Sequence, residues 1–249
     1  MSISRHLAAE PAVRGYSVTH PPGAATLPIE PGWDQLLYAA SGAMTVSIAT
    51  GSWIIPRHRA LWIPGNEPAT VVNRSRVGVR SLYLASPLRA LPGTARGITV
   101  SRFCRELLLH TVRCCPLDLD DPVHSALLTV LVDQLRAMPD APLWLPRPTD
   151  PRAVAFAQVA EVNPTADTVE LARQVGASRR TLERVFAAQT GLSLGAWRRR
   201  AHILGSLDRL AAGETVTRAA QSSGYTTPSA YVAAFKRELG ITPRQFVRE

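Results

Sequence analysis

The chain has 249 residues, 46% of them apolar, and a formal net charge of +9. That length fits one large or two modest domains, and the apolar content is ample for ordinary cores. No apolar run reaches membrane-spanning length, the N-terminus MSISRHLAAEPAVRGY lacks the apolar core of a leader, and three cysteines form neither a disulfide framework nor a zinc spacing. A soluble, cytoplasmic protein with no membrane partner is expected.

From about Tyr16 to Ser101 the pattern is short β-like runs broken by Gly and Pro: WDQLLYAA, AMTVSIAT, SWIIP, ALWIP, ATVVN and VRSLYLA. Closely spaced strands of this kind predict a small antiparallel sandwich or barrel. Ser41-Gly42 and Thr50-Gly51 stand between successive strands, where hairpins need them. Phe103 to Cys115 and Val123 to Met138 have helical periodicity. In the second, Leu127, Leu128, Leu131, Val132 and Leu135 form a stripe that must be buried, either on the outside of the barrel or in a two-helix dimer contact. Cys114 and Cys115 adjoin Arg113; neighbouring positive charge can activate a thiol, while free cysteines are commonly small buried apolar groups.

Pro139, Pro142, Pro146, Pro148 and Pro151 then fall close together, which forbids a continuous helix and favours a stiff extended linker. The expected organisation is therefore an N-terminal barrel over 1–101, a helical pair over 102–138, a proline-rich linker over 139–151 and an all-α domain over 152–249. That last domain should open with a helix around Ala153–Val162. Residues 151–249 carry 14 Lys/Arg against 8 Asp/Glu, while residues 1–150 carry 14 against 11. The basic excess is concentrated at the C-terminal end, as nucleic-acid binding requires.

One small device occurs twice between Thr168 and Phe246: a short apolar helix, a glycine turn and a second helix, the helix-turn-helix signature. In the first copy the turn is Val175-Gly176-Ala177 and Ser178 is the expected N-cap. In the second the turn is Gly224-Tyr225, Thr227 caps, and Pro228 takes the first helical position, where its missing N–H is harmless. Helical phase places Leu182, Val185, Phe186 and Gln189 on one side of the first second-helix. Arg180, Glu183, Arg184 and Ala187 fall opposite, with Arg179 and Thr181 flanking. In the other copy Tyr231, Ala234, Phe235 and Leu239 face inward, and Ser229, Val232, Ala233 and Lys236 face out. A helix whose exposed face begins with arginine suits a major groove, since arginine bonds a guanine edge in two places. One long helix, Gly195 to Ala212, joins the copies and ends at Gly213. Its Arg198, Arg199 and Arg200 cover several sides, so one or two of them, Arg199 among the candidates, can reach phosphate.

Residues 168–246 resemble the DNA-binding domain of the AraC/XylS family of bacterial transcription regulators, most closely in LARQVGASRRTLERVFAAQTGLSLGAWRRRAHI and AAFKRELGITPRQF. The resemblance implies two motifs reading successive major grooves, with Arg180, Glu183 and Arg184 facing bases in the first and Ser229, Val232 and Ala233 in the second. Pro228 stands where relatives often carry a polar reader. The full candidate interface is Ser178, Arg179, Arg180, Thr181, Glu183, Arg184, Arg199, Thr227, Ser229, Val232, Ala233 and Lys236. The partners implied are double-stranded DNA, a second copy of the chain and, for activation, RNA polymerase. Relatives of this branch often act on neighbouring transporter or stress genes, as activator or repressor.

QLLYAASGAMTVSIATGSWIIPRHRALWIPGNEPATVV resembles the cupin-type sensor barrel that precedes this domain in one branch of the family. The positions that would hold a metal-binding His-x-His pair are Ile29 and Pro31, and a later histidine position is Ala69; none of these is a ligand. No metal, cofactor or catalytic residue is therefore expected, and a cupin enzyme tethered to DNA is disfavoured. An effector pocket would draw its walls from inward strand residues, with Trp33, Gln35, Leu37, Tyr38 and Trp62 as candidates. The remaining alternative is a constitutive regulator whose barrel only dimerises.

Overall fold

The computed structural model describes residues 11–27, 30–65, 67–73 and 75–248. Two five-stranded antiparallel sheets make the N-terminal part, with β1 (Val13–His20), β2 (Gly23–Thr26), β3 (Trp33–Ser41), β4 (Ala43–Ile48), β5 (Gly51–Pro56), β6 (Arg59–Ile63), β7 (Thr70–Asn73), β8 (Val77–Ala85), β9 (Arg96–Thr99) and β10 (Trp144–Pro146). The first sheet has the order β1-β8-β3-β6-β9 and the second β10-β5-β4-β7-β2. The two sheets face each other as a sandwich; they do not close into the expected barrel, because β1 and β9 end one sheet and β10 and β2 the other.

Cross-strand partners share a face, so the register defines the layers. Leu37 pairs with Leu61 and Ser81, and Met44 with Ile55, all pointing between the sheets. Leu36 pairs with Trp62 and Leu82 on the opposite face of the first sheet. That outer face is covered by α1 (Arg102–Cys114) and α2 (Pro122–Ala137), whose Leu108, Leu128, Leu131 and Leu135 share a core with Leu36, Tyr38 and Trp62. Packing on the sheet therefore accounts for the α2 stripe. On α2 Val123 and Val130 remain exposed. Burial pushes the thiols of Cys104 and Cys115 up to about 11, so neither is activated; Cys115 fills the space over Gly15, where an added Cβ would lie 2.8 Å from its Sγ.

The C-terminal part consists of α3 (Pro151–Val162), α4 (Thr168–Gln174), α5 (Arg179–Thr190), α6 (Leu194–Ala211), α7 (Val216–Ser222), α8 (Pro228–Leu239) and α9 (Pro243–Arg248). The starts of α3 to α8 have a local cause: Asp150, Asp167, Ser178, Ser193, Thr215 and Thr227 cap them in turn with their side chains. Gly176 and Gly224 turn the chain with positive φ of 66° and 80°. At Gly224 an added Cβ would also meet the Pro164 carbonyl oxygen at 2.9 Å. The fully buried core, Phe156, Phe186, Trp197, Leu204, Leu207, Tyr231 and Phe235, surrounds α6. Phe186 sits edge-on to Trp197 with centroids 5.0 Å apart, and Ser206 bonds the Tyr231 hydroxyl at 2.7 Å.

The outer face of the second sheet packs on α6, which touches β4, β5 and β10. The proline-rich stretch is sewn into this seam. Trp144–Pro146 adds an edge strand to β5, a place that tolerates a proline lacking an N–H. The Trp197 indole donates to the Pro146 carbonyl at 2.7 Å, and the Gln189 carboxamide accepts from the Thr149 and Asp150 amides at 2.8 and 3.0 Å. Arg147 reaches Ser52 at 3.0 Å and Glu161 at 3.1 Å. Arg200 donates to the Trp144 and Pro142 carbonyls at 2.7 and 3.1 Å and to Glu238 at 3.2 Å.

Candidate nucleic-acid interface

The exposed side of α5 is set by its cap and its buried stripe. Ser178 Oγ accepts from the Thr181 amide at 3.1 Å and bonds the Thr181 hydroxyl at 2.8 Å. Leu182, Val185 and Phe186 are buried, which turns Arg179, Arg180, Glu183 and Arg184 to solvent. Arg179 and Glu183 form a pair at 2.8 Å across one turn. Such a surface pair is weak, about 0.5 kcal/mol or less, so either member is readily released to a base or phosphate. Arg180 and Arg184 make no hydrogen bond or ion pair with any described residue, and their charge is wholly available.

On α8, Thr227 caps through the Ala230 amide at 3.2 Å and Pro228 occupies the first turn. Ser229, Ala233 and Lys236 are exposed as expected. Val232 is a correction: it is half-buried and packs against the core that holds Tyr231 and Phe235, because the apolar stripe of α8 is wider than the three- and four-residue spacing alone suggests. The exposed side of α8 therefore has fewer hydrogen-bonding groups than that of α5.

The three consecutive arginines of α6 divide cleanly. Arg198 is half-buried and spends its guanidinium on Thr168 Oγ1 and the Ala166 and Pro164 carbonyls, the last two at 2.8 and 3.4 Å, tying α6 to the start of α4. Arg200 is the clamp on Trp144, Pro142 and Glu238. Arg199 alone of the three is exposed. The roles of Arg198 and Arg200 depend on contacts thirty or more residues away in sequence, which no local signal carries.

His202 lies in a recess where α6 meets the second sheet, among Arg147, Glu161, Asp208 and Arg209. Burial first, and then the nearby Arg198 charge, push its imidazole down to about 4, so it is neutral at physiological pH.

Between the sheets lies a cavity of about 590 Å³, reached from the β1 and β2 side. Of the five expected pocket residues it takes Gln35 and Leu37. Tyr38 and Trp62 are corrected: both are fully buried on the other face of the first sheet, beneath α1 and α2, because side chains alternate along a strand and Tyr38 cannot share a wall with Leu37. Trp62 donates its indole N–H to the Pro92 carbonyl at 2.9 Å. Trp33 is also outside the cavity lining and lies under the Arg14 guanidinium, 4.0 Å from the ring centroid. The walls instead include Tyr16, Val18 and His20 of β1 and Val79, Ser81 and Tyr83 of β8. The period-two alternation Tyr16-Val18-His20 was the signal available for β1.

Of the three cupin metal positions, Pro31 is exposed in a turn, Ala69 is a buried apolar residue, and Ile29 lies outside the described residues. Proline and alanine side chains have no donor atom for a metal, and among the described residues no group of three or more His, Cys, Asp or Glu side chains could hold one. Among them, too, no helix is long and apolar enough to cross a membrane.

Residues 171–249 match the helix-turn-helix domain family. The chain is 28% identical over 216 residues to the HTH-type transcriptional regulator NimR of Escherichia coli strain K12, covering 86% of this chain and 79% of that relative. It is 35% identical over 111 residues to the HTH-type transcriptional regulator RipA of Corynebacterium glutamicum, spanning 44% of this chain and about a third, 32%, of that relative. Among solved structures, ToxT from Vibrio cholerae O395 aligns over 96% of this chain and 98% of its own, at 11% identity and a TM-score of 0.40. An AraC-type DNA-binding domain protein from Chromobacterium violaceum aligns over 39% of this chain and 90% of its own, at 21% identity and a TM-score of 0.38. The fold, the free arginines of α5 and the sequence relatives define a DNA-binding transcription regulator with a C-terminal helix-turn-helix domain. Its residues 171–249 make an AraC-type helix-turn-helix domain.

Proposed function

We propose that α4–α5 and α7–α8 act as two helix-turn-helix readers in successive major grooves, and that an effector in the sandwich controls them. The observation that carries the first half is the contrast on the reader surface. Arg180 and Arg184 have no partner among the described residues at the exposed side of α5, while the neighbouring Arg198 and Arg200 are consumed by structure. Arg180, Glu183 and Arg184 read base edges in this account; Ser229, Ala233 and Lys236 make a less selective second contact, and Arg199 and the exposed N-terminal turns, with Ser178, Arg179, Thr181 and Thr227, take phosphate. Arginine on guanine is worth more discrimination than serine or alanine can supply.

Control is supported by β4, which belongs to both compartments. Met44 lines the cavity, and its neighbour Thr45 faces the recess beside α6. A guest that moves Met44 thus moves the strand on which the reader's central helix rests. In this organisation residues 1–101 sense, 102–138 cover the sandwich and offer Val123 and Val130 to a second copy, 139–151 fasten the two parts, and 152–249 read DNA. A dimer would raise avidity. The protein is no enzyme in this account, and it works in the cytoplasm as an activator or repressor, an activator contacting RNA polymerase.

Hydroxyl-radical footprinting of the full chain on promoter fragments next to its own gene tests the proposal. Two protected patches on one face of the duplex, about one helical turn apart, are expected. A single patch lost on Arg180→Ala and unaffected by Lys236→Ala would reduce the reader to one motif.

A further inference from the structure

The sandwich cavity has a definite chemical character. At about 590 Å³ it falls within the range of small-molecule sites. Leu37, Met44, Val71 and Val79 make its apolar walls. Near its mouth the Tyr16 and Tyr83 rings meet edge to face, 5.6 Å apart. Gln35 is buried at 7% exposure and donates its amide N–H to the Tyr83 hydroxyl at 2.8 Å. This leaves the Tyr83 proton as one donor and Gln35 Oε1 as one acceptor for a guest.

Charge is nearly absent from the described lining. It contains no lysine or arginine, and its carboxylate, Glu30, is engaged by Arg14 at 3.0 Å. Arg14 is itself stacked on Trp33, outside the cavity. An anion entering this space would shed its hydration with no cation of the described lining to meet it, and a cation would have to take Glu30 from Arg14. Resting on the effector-controlled reading above, we propose that the cavity binds an uncharged, largely apolar organic molecule, held by a hydrogen-bond acceptor beside a donor, and that it rejects anions. Burial, reinforced by Glu30, raises the Tyr83 hydroxyl above its ordinary 10, which keeps it a proton donor for such a guest.

A matched pair of fluorescent probes tests this: N-phenyl-1-naphthylamine, which is neutral, and 8-anilinonaphthalene-1-sulfonate, the same skeleton bearing a sulfonate. Titrations use the full chain at pH 8, where an imidazole with the reference pKa of about 6.5 is uncharged. The neutral probe should bind at least tenfold more tightly. Ser81 is half-buried on the wall. Ser81→Trp should fill the space and abolish tight binding, with the circular dichroism spectrum unchanged. Ser81→Arg, which keeps the proposal testable if the tryptophan variant does not fold, should bring the sulfonate within about threefold of the neutral probe. Equal or tighter sulfonate binding in the unaltered chain, lost in Ser81→Trp, would overturn the charge preference and leave the cavity as a ligand site. Saturable binding of neither probe, or binding indifferent to both variants, would overturn the cavity as an effector site altogether.

Discussion

Arg180→Ala separates reading from folding. Arg180 is exposed in the first turn of α5 and bonds nothing described in the protein, so its removal should change folding stability by no more than about 0.5 kcal/mol. On DNA the same guanidinium can hold a guanine edge in two places. Losing it should cost about 1–3 kcal/mol, a roughly 5- to 150-fold weaker Kd, confined to sites carrying that base pair. Arg198→Ala is the internal contrast. That guanidinium is half-buried on Thr168 and two loop carbonyls, so the substitution should cost stability, about 2–4 kcal/mol, by leaving those groups unpaired. Fluorescence anisotropy on specific and scrambled duplexes, beside chemical denaturation of both variants, measures the two effects. Unchanged affinity of Arg180→Ala for the specific site, or a stability loss as large as that of Arg198→Ala, would refute the assignment.

Arg199→Ala should weaken binding to all sequences alike and reduce the slope of log affinity against log salt by about one unit, as for one lost phosphate contact; a sequence-dependent effect would contradict this. Tyr231→Phe removes the buried bond to Ser206 and should lower stability by about 1 kcal/mol, read by urea denaturation. His202 is held neutral by burial, with its folded value of about 4 below the ordinary 6.5. Its contribution is complete above pH 6.5 and is lost as pH falls toward 4, because only the unfolded chain takes up the proton there. The loss should total about 3 kcal/mol and be smaller in His202→Gln. Val123→Glu with Val130→Glu should dissociate any dimer built on α2 without unfolding the chain, as sedimentation would record.

The reader was legible because its signals are local. Ser178 and Thr227 cap within three residues, Pro228 fits only a first turn, and the spacing of Leu182, Val185 and Phe186 names the buried side of α5. The sandwich was harder for a physical reason. Both faces of β3 and β5 are covered, one between the sheets and the other by helices, so WDQLLYAA and SWIIP read as continuous apolar runs with no polar side to orient them. Tyr38 and Trp62 were assigned to a pocket for that reason, although the period of two already separates Tyr38 from Leu37. The edge strands β1, β2, β9 and β10 were missed as individual runs. Their pairing depends on partners far along the chain, such as Val13 with Leu84 and Trp144 with Trp53. The five prolines did predict an extended segment; that it lies against α6 depends on Trp197, Gln189 and Arg200, whose partners no spacing reveals.

The central claim is sequence-specific reading by the C-terminal helices, and selection of genomic DNA fragments by the purified full-length chain at physiological salt tests it most directly. Enrichment of one compact motif with two boxes about a helical turn apart, weakened at one base pair by Arg180→Ala, is the predicted result. Uniform, salt-sensitive retention of all fragments that persists when an uncharged guest occupies the sandwich, or no retention at all, would contradict it.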